Sequence, residues 1–478
     1  MYTMFYGHKH IKHNKKMKKT VLLGTLLLLL NFVSAQDYYM ASPQGFGAAA
    51  TGGGTPTVSN TVTVSTYSAL KTALTSTAVA NSIILVSGTI DCDYTSVLLT
   101  NKTIIGLPGA RLRNNKITIT TNPPSASDSS TSAANSGILY IKAGSNNVII
   151  RNLIFEGPGA FDCDGRDNLT NEGRNIWVDH CEFQDGMDGN FDIKGEADNT
   201  TVSWCKFTYL KPAIAGGSGG SADHRFSNLV GSAIDDMPSS DGRFSVTFQN
   251  CYWAQGCKAR MPRARNAELH VLNCYFKTSV SGASAIGLGA GNSGTNCYVE
   301  NCNFEQITNI SSPVTEGSGT TSVKFDGCTK GIIPTAVTGL DKLTATKPSY
   351  TYSILPVSDV ATFIPNSTCG AGATLNVTAQ GVISTACPNL GIENHNLKLG
   401  EFYPTEIDTV LNINLSDTVS GDSVINIYSI SGEKLVSYSK NVTSSEKLSL
   451  DVSSLSKGLY LCNLKIGEMA TTWKFIKK

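Results

Sequence analysis

Charge is scarce in this chain: only 16% of its 478 residues are Asp, Glu, Lys or Arg, while 41% are hydrophobic. That balance argues against long disorder and suits a folded, β-rich protein. Long apolar runs are lacking as well. The only candidate, Val21 to Leu30, is too short to be a good membrane span. Lys15, Lys16, Lys18 and Lys19 precede it and Val33-Ser34-Ala35 follows it, which is the layout of an export signal. Residues 1–35 are therefore expected to be a signal peptide, with Met17 as an alternative start and a membrane anchor as the competing reading.

A basic excess is missing too. Removing residues 1–35 takes away six lysines and leaves 32 basic residues against 37 acidic ones, a net charge of −5. Such a field does not draw in nucleic acid, which is not expected as a partner. A polyanionic substrate would need a local basic patch or a metal.

Leucine-rich repeats and a helical period between the strand-like runs are also absent, yet a repeat is present. Asn152-Leu153-Ile154-Phe155, His180-Cys181-Glu182-Phe183, Trp204-Cys205-Lys206-Phe207 and Asn250-Cys251-Tyr252-Trp253 share one pattern. Asn273-Cys274-Tyr275-Phe276, Asn301-Cys302-Asn303-Phe304 and Gly327-Cys328 continue it. Taken at residues 154, 181, 205, 251, 274, 302 and 328, the steps are 27, 24, 46, 23, 28 and 26. Steps in the twenties, with short β-patterned runs and 45 glycines for turns, are what one coil of a parallel β-helix needs. The step of 46 is either two coils or one coil with a large loop. Residues 67–76 predict a short helix that caps the N-terminal end of the solenoid.

Thirteen cysteines in an exported chain first suggest disulfides. The repeat instead places Cys181, Cys205, Cys251, Cys274, Cys302 and Cys328 at one rung, as buried thiols that behave as small hydrophobes. Cys297 with Cys302, and Cys369 with Cys387, remain candidate pairs.

From about Gly391 the pattern changes to alternating strands separated by Ser431-Gly432-Glu433 and Lys457-Gly458. That predicts a small β-sandwich. The expected organisation is a signal peptide at 1–35, a β-helix at 36–387 and a β-sandwich at 388–478.

Four clusters carry candidate chemistry: Asp188-Gly189-Asn190-Phe191-Asp192, Asp167 about one coil upstream, Lys258 to Arg265 with His270 beyond it, and Asp223-His224-Arg225 with Lys211 before it. Asp188 and Asp192 would share one face of an extended strand. Two such carboxylates repel unless a cation bridges them, and calcium prefers several oxygen ligands. Ordinary solvated turn acids are the alternative. Arg263 and Arg265 alternate onto one face, with Arg260 opposite in a regular strand. An arginine row suits an anionic sugar polymer. A surface ion-pair ladder is the alternative.

Taken in order, these motifs resemble a known family. Ile176-Trp177-Val178-Asp179-His180-Cys181, Asp188 to Asp192, Val246-Thr247-Phe248-Gln249-Asn250 and Arg260-Met261-Pro262-Arg263-Ala264-Arg265 are similar to polysaccharide lyase family 1, the pectate lyases. Asn101 to Gly106 and Asn147 to Leu153 extend the likeness, which covers roughly residues 55–305. The resemblance implies an all-β, right-handed parallel β-helix that acts as a monomer on polygalacturonate, an acidic plant polysaccharide. It implies a calcium ion held by Asp167, Asp188 and Asp192, Arg260 as catalytic base and Arg265 as a substrate-binding residue. A substrate-binding lysine is usual in the family, but its position falls near Phe226; Lys211 and Arg225 are the two candidates. Asp179 and His180 belong to a motif expected to be structural. An arginine base, with its ordinary pKa above about 12, implies an alkaline optimum. The competing readings are a calcium-free pectin lyase on methyl-esterified chains, a hydrolase with paired carboxylates, and a non-catalytic polysaccharide-binding surface protein.

Phe402-Tyr403-Pro404-Thr405, Ile427 to Gly432, Leu455 to Tyr460 and Lys474-Phe475-Ile476-Lys477 resemble a type IX secretion C-terminal domain. That implies the type IX machinery as a partner, and export to the cell surface or medium.

Overall fold

The structure, a computed structural model, describes residues 38–114, 116, 136–217, 219–385, 399–403, 406–416, 419–430, 432–467 and 469–478. The expected signal peptide, Cys387, the expected boundary at 387–388 and residues Pro404, Thr405 and Ser431 lie outside them. The chain divides into two compact units, Met1–Asn389 and Leu390–Lys478.

In the first unit, the residue ahead of each repeated core position bends the backbone. Asn152, His180, Trp204, Asn250, Asn273 and Asn301 all have φ between 46° and 58°. Asparagine tolerates this left-handed conformation because its short polar side chain can bond locally. Each bend turns the chain from one sheet to the next and sends the following Leu or Cys into the core.

Three parallel sheets result. The first has ten strands from Thr61–Val64 to Thr321–Asp326, the second has ten from Thr89–Asp91 to Thr335–Ala336, and the third has eight from Thr95–Val97 to Asn309–Val314. All pair in parallel except the last two of the second sheet. This is a right-handed parallel β-helix. The long step is one coil: Lys206 pairs directly with Tyr252, and Leu229–Val230 supplies the third-sheet strand between two long loops.

Like residues stack from coil to coil. Phe155, Phe183, Phe207, Trp253, Phe276 and Phe304 form one ladder, with neighbouring ring centroids 4.4 to 5.5 Å apart. Phe183, the second ring, is fully buried and touches Phe155, Phe191 and Phe207. Phe183→Ala should therefore cost about 3–5 kcal/mol, read from equilibrium unfolding in denaturant.

The cysteine rung is a stack of free thiols. Cys205, Cys251, Cys274, Cys302 and Cys328 donate to the carbonyls of Val178, Val202, Phe248, Val271 and Val299. Cys297 and Cys302 are both free, which corrects the first candidate disulfide. Cys297 packs mid-strand in the core, while Cys302 lies past the bend with its thiol on Val271 O. Cys369 is disulfide-bonded.

The expected cap is a helix at Tyr67–Thr75, started by Thr66, whose hydroxyl accepts from Ala69 N, and burying Leu70, Ala73 and Leu74. No described helix is long and apolar enough to cross a membrane.

The second unit is a β-sandwich of a three-stranded and a five-stranded sheet. Leu411 and Ile413 of one sheet and Ile425, Ile427, Cys462 and Leu464 of the other form its core.

Candidate functional site

The outward face of the third sheet carries the acidic cluster. In Phe191–Ile193, Phe191 and Ile193 point into the core, so Asp192 must point out. Its register partner on the preceding coil is Thr170. Asp167 sits just before that strand and its Oδ2 accepts from the Thr170 hydroxyl at 2.8 Å. Asp192 Oδ1 accepts from Leu229 N at 3.0 Å.

The two carboxylates meet over Gly189. A Cβ at that position would lie 2.7 Å from Asp167 Oδ1 and 3.0 Å from Asp192 Oδ1. Only glycine leaves this space open. Both aspartates are buried, and Asp167 Oδ1 has no hydrogen-bond partner. Burial, and then the charge of Asp188, push Asp167 up to about 6. Burial, and then Asp167, hold Asp192 well above the usual carboxylate range. Buried carboxylates aimed into one open space, with an orphaned oxygen, fit an oxygen-seeking divalent cation. Asp188 is in the turn ahead of the strand, not in it, so the shared-face argument does not apply to it. Its Oδ1 lies 2.7 Å from His224 Nε2. Among the described residues no three His, Cys, Asp or Glu side chains are already gathered as a metal cage.

Arg260 lies within electrostatic range of this cluster: its charge acts on both Asp167 and Asp192, as does that of Lys194. It lies outside the strand Arg263–Ala264, with φ +59°, so strand alternation does not govern its direction. Left-handed backbone at a non-glycine residue costs about 1–3 kcal/mol and concentrates at functional sites. Asn228 N donates to Arg260 O at 2.6 Å, and the guanidinium lies 4.3 Å over the Phe226 ring.

Arg263 and Arg265 share a face as expected, and both grip Glu316. Arg265 is buried, and its Nη1 also donates to Gly231 O at 2.9 Å. Lys211 and Arg225 are not drawn to the aspartates. Lys211 Nζ donates to Gly157 O at 2.9 Å, and Arg225 holds Asp223 through two bonds of 2.7 and 2.5 Å. Asp179 is buried on the first sheet, accepting from Arg151, Ser203 and His180. His270 is on that sheet too, beside Glu300 and Tyr350.

Two neighbours escaped the sequence reading. Lys194 is two residues after Asp192, and strand alternation could have placed it on the same face. Glu316 lies some fifty residues beyond the arginines it pairs, and no local signal points to it.

The match to known proteins decides the kinship. Residues 17–374, well over half the chain, match the family model described as pectate lyase. The chain belongs to the pectate lyase family. Residues 401–478 match the secretion system C-terminal sorting domain. Among curated relatives, a pectate trisaccharide-lyase from Thermotoga sp. (strain RQ2) is 32% identical over 219 residues, covering 43% of this chain and 50% of that protein. A pectate lyase from Bacillus subtilis (strain 168) is 30% identical over 171 residues, covering 29% and 37%. The chain thus spans about half the length, or less, of these relatives. A solved pectate lyase from Paenibacillus sp. 0602 has the same fold, with a TM-score of 0.52, 17% identity and coverage of 70% of this chain and 96% of that one.

Proposed function

We propose that this family member cleaves polygalacturonate by β-elimination, with calcium as cofactor and Arg260 as base. The observation that carries the reading is Arg260, bent out of the strand and within electrostatic range of the buried Asp167 and Asp192.

Asp167, Asp192 and, once turned from His224, Asp188 would hold the cation. When bound, calcium supplies positive charge to a galacturonate carboxylate, which acidifies the proton on the adjacent carbon 5. Arg260, in its neutral form, takes that proton. The electron pair left on carbon 5 forms the double bond to carbon 4, and the bond to the glycosidic oxygen breaks. The leaving oxygen gains a proton from water, and the new chain end is a 4,5-unsaturated sugar. Arg265, held by Glu316 and Gly231 O, and one of Lys211 or Arg225 bind neighbouring carboxylates. Phe226 supports the Arg260 guanidinium from one face. The signal peptide and the sorting domain take the enzyme out through type IX secretion. The product tests the reaction: elimination leaves an ultraviolet-absorbing conjugated bond, whereas hydrolysis leaves none.

Cation binding also has a stability signature. Asp167 is raised to about 6, above its unfolded value near 3.9. Asp167 alone therefore costs the cation-free protein about 3 kcal/mol as pH rises from about 4 through 6, and the raised Asp192 adds to that loss at higher pH. Calcium should raise Tm clearly at pH 8 and barely at pH 4; equal gains at both would separate the cation from these carboxylates.

A further inference from the structure

The coils ahead of the carboxylate cluster carry a group of side chains that the catalytic reading leaves unused. Ser96, Tyr140, Thr170 and Asp192 occupy one register line across the third sheet. Adjacent strands lie about 4.8 Å apart, so Tyr140 sits about 10 Å from Asp192 along the solenoid. Tyr94 meets Tyr140 edge to face, with centroids 6.2 Å apart at 70°. The Tyr140 hydroxyl donates to the Glu172 carboxylate, which fixes its ring. The Arg166 guanidinium lies 5.1 Å over Tyr94.

These groups are held in place. Arg166 N donates to Ser136 Oγ at 3.0 Å. A Cβ on Gly137 would lie 2.7 Å from Arg166 Cβ and 3.2 Å from Tyr94 Cδ2, so only glycine lets the three approach. They are also continuous with the acidic cluster. Asp167 follows Arg166 in the chain, and the charges of Arg166, Lys194, Asp167 and Glu172 all act on the Tyr94 hydroxyl.

Arg166 differs from the arginines of this face that are tied into ion pairs. Arg225 is paired with Asp223, and Arg263 and Arg265 share Glu316. Arg166 is exposed, and among the described residues its guanidinium makes no ion pair. An uncompensated guanidinium beside two fixed aromatic rings is suited to an anionic ring compound. Leu98, 56% exposed, adds apolar surface on the same end of the sheet.

We propose that Tyr94, Tyr140 and Arg166 form a remote subsite for an anionic sugar, its ring against the tyrosines and its carboxylate on Arg166. The identity of that sugar as galacturonate rests on the polygalacturonate reading above. The polymer then runs along the solenoid axis, across the strands, from the carboxylate cluster toward the N-terminal coils. A disaccharide at the cluster leaves the tyrosine pair empty; a hexasaccharide fills both.

The test is calorimetric titration of digalacturonate and hexagalacturonate, in calcium, into the uncleaving Arg260→Lys protein with and without Arg166→Gln or Tyr94→Ala. Hexamer affinity should fall about tenfold with either change and dimer affinity by less than twofold. Because Arg166 is exposed, Arg166→Gln tests the subsite even where Tyr94→Ala unsettles the fold. Hexamer affinity within twofold of the parent, or equal losses for dimer and hexamer, overturns the subsite. The selective hexamer loss in a protein whose unmutated form releases no unsaturated product upholds the subsite and overturns the catalytic reading instead.

Discussion

Arg260→Lys is expected to lower turnover by about three orders of magnitude while leaving the protein folded, in line with the effect of removing a positioned base. Lysine keeps the charge and, with an ordinary pKa near 10.4, is the better base in bulk water. If basicity alone mattered, the variant would match or exceed the parent at neutral pH. The loss is expected because the planar guanidinium, resting 4.3 Å over Phe226, is placed by its shape. A lysine ammonium on a flexible stem has no such seat. The backbone strain at φ +59° is the same for both residues, and one half-buried cation–π contact is worth only about 1 kcal/mol, so Tm should move little. Near-normal kcat with unchanged Tm would remove Arg260 from the chemistry.

Asp192→Asn should act with opposite signs in the presence and absence of calcium. The amide keeps the volume and can still accept from Leu229 N. It removes one of the buried charges that crowd around Gly189. In calcium, the lost ligand charge should weaken apparent affinity by about a hundredfold, or about 2.7 kcal/mol. In chelator, the variant should be more stable than the parent, because Asp167 no longer faces a second buried carboxylate. Thermal unfolding at pH 8, with calcium and with chelator, reads both effects. A variant destabilised equally in both conditions would mean that Asp192 serves only the fold. Asp188→Ala is expected to have the weaker effect of the two, since Asp188 is half-exposed and partnered by His224.

The solenoid was legible because its physics repeats. A bend residue, a small inward thiol and an aromatic recur once per coil, and stacking turns that recurrence into the asparagine, cysteine and phenylalanine ladders. The cap helix was legible because a solenoid end must be covered. The long step was ambiguous because a loop of any length can join two strands; only the pairing of Lys206 with Tyr252 resolves it. Within the site, Asp192 obeys strand alternation, whereas Asp188 and Arg260 lie in turns, where no period constrains direction. The pairing of Arg263 and Arg265 with Glu316 spans two coils and leaves no trace in local pattern. Neither Lys211 nor Arg225 could be preferred from sequence. In the structure each is already engaged, by Gly157 O and by Asp223.

The most direct measurement is the initial rate of ultraviolet absorbance on polygalacturonate at alkaline pH, with added calcium and with excess chelator. The expected result is a steady rise with calcium and a rate at background with chelator, restored when calcium is returned. Absorbance that rises equally in chelator would contradict the aspartate-held cation, and chain shortening without any absorbance would contradict elimination itself.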